Sequence, residues 1–360
     1  MALISHTGLP TFARLSNEGY DVLSPERANS QDIRELHIGL LNMMPDAALE
    51  ATERQFLRLL ASCNRIVQLY VHLFTMPGIP RAGTALEHVA SFYEPYQNLR
   101  EHGLDALIIT GANPVKVDIR DEPYWESLRE IMDWADVNVA STLCSCLSSH
   151  AAFKQYQQID RVVLPNKQWG VYSHRVIAPT HPLVANINSR FDAPHSRWNT
   201  VPKQALDEAG VRVLAHSEVA GVHLASSADG IRWVYFQGHP EYDANSLIKE
   251  YKREVMRYSS GVIDSYPRFP DGYFTASAEL LLNQHQTAAV AARARGDSGP
   301  VLDEALLAPE LENSWTDTGK AIFNNWLGLV YQLTHKDRMR QYMHGVDPRN
   351  PLGLEAITTL

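Results

Sequence analysis

The sequence predicts an α/β protein with a mostly parallel sheet and helices on both faces. Three observations carry this reading. Short apolar runs alternate with segments of helical periodicity from residue 36 to about residue 155, an order that sets strands parallel with helices crossing over them. The central run Asp105-Ala-Leu-Ile-Ile-Thr-Gly111 is continuously apolar before its terminal Thr-Gly, as a strand buried on both faces requires. Beyond residue 160 strand-like runs become denser, at Arg161–Leu164, Gly170–Ala178, Val211–His216, Val222–Ser226 and Ile231–Gln237.

Residues 1–35 read as a mixed, loop-like arm. Leu36–Met43 is a buried strand, and Glu50–Leu60 is an amphipathic helix with Phe56, Leu59 and Leu60 inward. Val67–Leu73 alternates at period two, and Glu87–Tyr93 is helical with Pro95 as its stop. After Asp105–Gly111 come a helix at Tyr124–Ala135, a strand at Val137–Thr142 and a helix at Leu147–Gln155. Helix returns at Ala244–Tyr258, and Tyr266–Tyr273 is a Pro/Gly-rich break. A Leu/Ala-rich helix (Ala276–Arg295), a turn at 296–300 and the apolar-aromatic stretch Ala321–Leu333 follow; the last 25 residues are polar and peripheral. The expected organisation is an arm (1–35), a main domain (36–265), and a C-terminal helical extension with tail (266–360).

Composition narrows the function. A 360-residue chain, 45% hydrophobic and 20% charged, can bury a large core. A net charge of -9 argues against non-specific nucleic-acid binding, which needs a basic surface. No run of 18 apolar residues is present, so no membrane span is expected, and the N-terminus lacks the charged-then-apolar order of a secretory signal. Three cysteines, Cys63, Cys144 and Cys146, do not make a disulfide framework, which fits a reducing, cytoplasmic setting.

Two of those cysteines lie in Ser141-Thr-Leu-Cys-Ser-Cys-Leu-Ser-Ser-His150. Cys146 follows a predicted strand and opens a predicted helix, a junction at the carboxyl end of the sheet where α/β folds place ligands. Free N–H groups and the helix dipole favour a thiolate there. Cys144 falls within the strand and reads, like Cys63, as a small buried hydrophobe. A metal site from the pair is disfavoured by the one-residue spacing and the lack of a second pair. A base is available in Gly238-His-Pro-Glu241, at the end of another apolar run. In extended backbone His239 and Glu241 share a face, so the carboxylate can orient the imidazole. A thiol, an imidazole and a carboxylate at neighbouring strand ends form the nucleophile, base and orienter of acyl transfer.

The chain also resembles the homoserine O-succinyltransferase family. The resemblance rests on Leu41-Asn-Met-Met-Pro45, Thr52–Leu60, Thr110-Gly-Ala112, Ser141-Thr-Leu143 with Cys146, Pro194-His-Ser-Arg197 and Gly238-His-Pro-Glu-Tyr-Asp-Ala244. Asn324–Leu327 and Tyr331–Thr334 resemble its C-terminal helix. It implies a flavodoxin-like, class I glutamine-amidotransferase-like three-layer sandwich, with residues 36–265 as the acyltransferase domain. It also implies ping-pong transfer from an acyl-CoA, through a thioester on Cys146, to the hydroxyl of L-homoserine in methionine biosynthesis. No metal or bound cofactor is implied. His239 becomes the general base and Glu241 its partner. Backbone N–H groups at Leu147, Gly111 and Ala112 become oxyanion donors, and Lys167, Ser196 and Arg253 substrate contacts. A homodimer is expected, with the helix around Trp326 in its contact.

Departures from the family pattern matter. Asp46 and Ala47 stand where lysine is usual after Met-Pro, with about two extra residues before Thr52. Val115 stands at the position where glycine accompanies succinyl-CoA and glutamate acetyl-CoA. Lys116 beside it suits a succinyl carboxylate, which favours succinyl-CoA. Serine acylation or an acetyl-CoA donor is the close alternative. An amidotransferase-like hydrolase is disfavoured because glycine flanks Cys146 on neither side. A non-catalytic binding protein is disfavoured by the intact Cys146, His239 and Glu241.

Overall fold

The apolar runs assemble into one eleven-stranded sheet among the described residues. The computed structural model describes residues 2–63 and 67–355. In chain order the elements are β1 (Ala2–Ile4), α1 (Pro10–Asn17), β2 (Val22–Leu23), α2 (Pro25–Asn29), β3 (Glu35–Leu41), α3 (Leu49–Ala61), β4 (Gln68–Phe74), α4 (Gly83–Phe92), α5 (Tyr96–His102), β5 (Ala106–Ile109), α6 (Trp125–Asn138), β6 (Ser141–Ser145) and α7 (Leu147–Gln157). There follow β7 (Val162–Val176), β8 (Arg190–Thr200), α8 (Lys203–Glu208), β9 (Arg212–Ser217), β10 (Gly221–Ser226), β11 (Trp233–Phe236), α9 (Ser246–Ser259), α10 (Ala276–Arg295), α11 (Glu304–Leu307) and α12 (Thr316–Leu333).

The strand order is β2-β1-β4-β3-β5-β6-β11-β10-β9-β7-β8. The run from β2 to β11 is parallel, and each pairing from β11 to β8 is antiparallel. Strand β6 therefore lies between β5 and β11, with Cys144 level with Ile109 on one side and Tyr235 on the other. Burial of both sheet faces completes the three layers. Phe12, Phe56, Phe323 and Trp326 from α1, α3 and α12 pack on one face, while Leu128, Met132, Ala151 and Phe153 from α6 and α7 pack on the other. A third cluster, with Leu247 and Tyr251 of α9 and Leu282 of α10, covers Trp169 of β7.

Several expectations change. The N-terminal residues are not loop-like: β1 pairs with both β2 and β4 and extends the sheet. Strands of two and three residues are too short to show a period in the sequence. Helix α6 runs to Asn138, so the strand anticipated from Val137 begins at Ser141. Residues 162–176 form one strand, irregular around Pro165, rather than two. Strand β8 was not anticipated because it contains Pro194 among polar residues, and proline is tolerated there because β8 is the last strand of the sheet. Trp326 lies fully buried, donating its indole N–H to Ser141 Oγ at 2.7 Å, so it belongs to the core and cannot serve a dimer contact. The tail is anchored rather than peripheral: Tyr342 is buried and donates to Ala140 O at 3.2 Å. No helix among the described residues is long and apolar enough to cross a membrane.

Candidate active site

Where β6 ends, the chain must reverse sharply into α7. Cys146 makes that turn at φ 55°, ψ -111°, a conformation L residues avoid unless surroundings impose it. The surroundings here are hydrogen bonds. Cys146 N–H donates to Phe236 O at 2.6 Å. Ser148 Oγ donates to Ile109 O and Ser145 O, and Ser149 Oγ to Cys144 O and Phe236 O, all between 2.8 and 3.0 Å. The two serines that follow the cysteine thus tie the turn to both neighbouring strands. Cys144 is wholly buried, and burial pushes its thiol up; the Cys63 thiol is pushed up to about 12 for the same reason. Burial and a raised pKa both disfavour a thiolate at either position. Cys146 is partly exposed.

His239 reaches Cys146 from the turn after β11. Its ring is within hydrogen-bonding reach of the thiol, and its Nδ1 lies 2.7 Å from Glu241 Oε1. The carboxylate fixes the Nδ1–H tautomer and leaves Nε2 as the working nitrogen. Burial opposes a charge on this imidazole, but Glu241 and Cys146 outweigh it and raise His239 to about 10. Tyr242 stacks on the ring at 4.3 Å, and the His239 N–H donates to Pro194 O at 2.7 Å.

Gly238 is required at this turn. A Cβ there would come within 2.6 Å of His223 Nδ1, 2.8 Å of His195 Nε2 and 2.9 Å of Pro194 O. Gly238→Ala should therefore displace His239 and cost about 1–3 kcal/mol of stability, read by urea denaturation alongside a loss of turnover. Wild-type stability would show that the turn can yield.

The histidines beneath Gly238 carry a second expectation. His174, His195 and His223 are buried together, facing Arg197, His216 and His239. Burial lowers His174 to about 4 and holds the other two well below the ordinary value. All three fold neutral, whereas unfolded they take up protons near pH 6.5. Stability is therefore full above about pH 6.5 and is lost as pH falls toward 4, by up to about 1.4 kcal/mol per pH unit for each histidine. Denaturant midpoints between pH 7.5 and 5 measure this; a flat profile would contradict it.

The remaining candidates fall into two groups. Gly111 lies against Cys146, where a Cβ added to the glycine would sit 3.5 Å from Cys146 Cβ, and Leu147 is the first residue of α7, where backbone N–H groups lack intrahelical partners. Ala112 continues the same turn. Val115 is 77% exposed, yet its N–H and that of Lys116 both donate to the buried Glu122 carboxylate at 2.7 Å. The loop backbone is fixed while its side chains face solvent. Asp46 also gains a reason: it accepts from Ala82 N at 3.0 Å and pairs with Arg81 at 3.3 Å, joining two loops.

Lys167 and Ser196 meet on Glu250 Oε2, at 3.0 and 2.6 Å, and Tyr242 donates to Glu250 Oε1 at 2.8 Å. Burial works against the Glu250 charge, but Lys167, Ser196 and Tyr242 outweigh it and hold the carboxyl below its usual range. Glu250 is a site residue that the sequence reading missed; its signal is a carboxylate on α9 between the inward-facing Leu247, Ile248 and Tyr251. Arg253, on the same helix, is exposed, with no hydrogen bond or ion pair among the described residues. Arg161 was missed as well. It donates to Lys116 O at 2.5 Å, its Nη1 is buried with no hydrogen-bond partner among the described residues, and burial lowers its pKa against the pull of Tyr124, Glu122 and Asp118.

Comparisons with known proteins follow this geometry. The family model described as homoserine O-succinyltransferase matches residues 2–336. A homoserine O-succinyltransferase of Methylococcus capsulatus is 54% identical over 98% of this chain and 100% of its own length. That of Methylobacter tundripaludum is 52% identical over 98% and 100%, and that of Allochromatium vinosum 53% over 98% and 99%. Among solved structures, a glutamine amidotransferase from Methylobacillus flagellatus is similar at 13% identity and a TM-score of 0.47, covering 82% of this chain and 95% of that one.

Proposed function

The chain belongs to the homoserine O-succinyltransferase family, and on that premise we propose that Cys146, His239 and Glu241 transfer a succinyl group from succinyl-CoA to the hydroxyl of L-homoserine, a step of methionine biosynthesis. The observation that carries the reading is the convergence of Cys146, His239 and Glu241 at the carboxyl end of the parallel strands, with His239 Nδ1 2.7 Å from Glu241 Oε1.

The chemistry runs in two halves. Cys146 Sγ, its proton held on His239 Nε2, attacks the thioester carbonyl, and that proton then leaves on the CoA sulfur. The oxyanion formed on the way is met by N–H groups of Leu147 and the Gly111–Ala112 turn, donors whose individual loss costs about 10²–10³ in rate. In the second half His239 takes the hydroxyl proton of homoserine, the alkoxide oxygen attacks the acyl-enzyme, and Cys146 departs and is reprotonated. Glu241 stabilises the imidazolium in both halves. We assign Lys167 and Ser196, held on Glu250, and the exposed Arg253 to the amino acid, whose carboxylate suits the two cations.

Steady-state assays with homoserine and serine, each against succinyl-CoA and acetyl-CoA, test the proposal. Homoserine with succinyl-CoA should give the highest kcat/KM, and negligible turnover of homoserine with either donor would overturn it. Serine, one methylene shorter, should lose about 1–3 kcal/mol of discrimination at most. A cytoplasmic setting and a homodimer are part of the same proposal. Light scattering tests the dimer, whose contact must exclude the buried Trp326.

A further inference from the structure

We propose that His6, His72 and Glu94 bind one divalent cation, best suited to Zn²⁺, beside β1 and β4, with β3 and β5 between them and the strand that leads to Cys146. His6 follows β1, His72 lies on β4 and Glu94 joins α4 to α5. One ligand atom from each lies within 4.8 Å of the others.

Proton counting shows why a cation belongs there. Glu35 Oε2 faces His37 Nε2 at 3.4 Å, His37 Nδ1 faces His72 Nε2 at 2.9 Å, and His72 Nδ1 faces Glu94 Oε1 at 2.6 Å. These three contacts need three protons, but two neutral imidazoles supply only two. Either a lone pair faces a carboxylate or the two imidazole lone pairs face each other, unless a positive charge enters. His6 sharpens the deficit. Its Nδ1 bonds the Ile4 carbonyl at 3.0 Å and so carries the proton. Its buried Nε2 is then a lone pair, without a hydrogen-bond partner among the described residues and 3.7 Å from Glu94 Oε1.

With protons on His37 Nε2 and His72 Nε2, every outer contact is satisfied. Two imidazole lone pairs and a carboxylate oxygen then converge. The outer partners, Glu35 through His37 to His72 and Ile4 O to His6, are those that orient metal-binding histidines. In a tetrahedral zinc site, ligand atoms lie about 3.3 Å apart; the separations of 2.6 and 3.7 Å bracket that value. Two imidazoles and a carboxylate are a borderline donor set suited to Zn²⁺ rather than Ca²⁺ or Mg²⁺. The side chains are 14%, 14% and 28% exposed, so water can reach a fourth position.

The other histidine cluster lacks this character. Arg197 Nε donates to His195 Nδ1 at 3.3 Å, so His195 Nε2 carries a proton and donates to His174 Nε2 at 3.1 Å, and His174 Nδ1 donates to Tyr172 O at 2.8 Å. The lone pairs of His174 and His195 are spent; His223 Nδ1 is buried without a hydrogen-bond partner among the described residues, and no carboxylate joins it. Strands β3 and β5 separate β4 from β6, so the ion takes no part in acyl transfer and joins the N-terminal strand to the sheet.

Chelator-treated, dialysed full-length protein titrated with ZnCl₂ against a chromogenic chelator tests the site. One equivalent should bind. His6→Ala and His72→Ala should weaken binding at least about 100-fold and Glu94→Gln by about 10–100-fold. Replacing Zn²⁺ by Co²⁺ in the unmutated protein should give the intense visible bands of tetrahedral cobalt, a readout independent of how the variants fold. Absence of stoichiometric binding, or unmutated affinity in the His6 variant, would overturn the site and assign the missing charge to an imidazolium. Neither result bears on the acyl-transfer assays.

Discussion

Cys146→Ala abolishes succinyl transfer, and the variant gains no acyl mass when succinyl-CoA is supplied without acceptor. The expectation follows from the turn at φ 55°, which presents the Cys146 sulfur beside His239. Intact-protein mass spectrometry of the unmutated enzyme should find the acyl group on Cys146, and peptide mapping separates it from Cys144. Cys144→Ala, two residues away but inside β6 with no exposed surface, should keep near-full kcat and lose only some packing stability. Acylation at Cys144, or equal losses from the two substitutions, would overturn the nucleophile assignment.

His239→Ala is expected to lower kcat by about 10²–10⁴-fold, and single-turnover experiments should place the loss in both halves of the reaction. The same nitrogen must accept the thiol proton and later the hydroxyl proton, so neither acylation nor transfer is spared. Glu241→Gln probes the other end of the line. An amide can offer its N–H to Nδ1 and select the wrong tautomer, which costs up to about 10⁴-fold in an equivalent arrangement. Glu241 Oε2 is buried without a hydrogen-bond partner among the described residues, so the orienting contact rests on Oε1 alone. A variant within tenfold of the unmutated rate would show that stacking against Tyr242 suffices to aim the imidazole.

The legible parts of the fold share a physical trait. Leu36–Met43 and Asp105–Gly111 are apolar because strands there are covered on both faces, and they became β3 and β5. The position of Cys146 was readable because a cysteine between a buried strand and a helix has few other places to point. Glu250 was not readable, since its partners Lys167 and Ser196 lie 83 and 54 residues away along the chain. Distance in sequence likewise hid Trp326, whose indole finds Ser141 across 185 residues. An amphipathic helix late in a chain offers no pattern that separates core from interface. The strand around Pro194 failed for the opposite reason: its local signal was clear but pointed away from a ladder, and only its place at the end of the sheet reconciles the two.

Helix α12 touches both halves of the reacting centre. Gly319 abuts Pro240 so closely that a Cβ would lie 3.1 Å from its Cβ and carbonyl, Trp315 Nε1 donates to Tyr242 O at 2.9 Å, and Trp326 holds the first residue of β6. During ribosomal synthesis the thiol and the imidazole emerge long before this clamp does. A chain ending before α12 would therefore contain Cys146, His239 and Glu241 without the three contacts that hold their flanking residues.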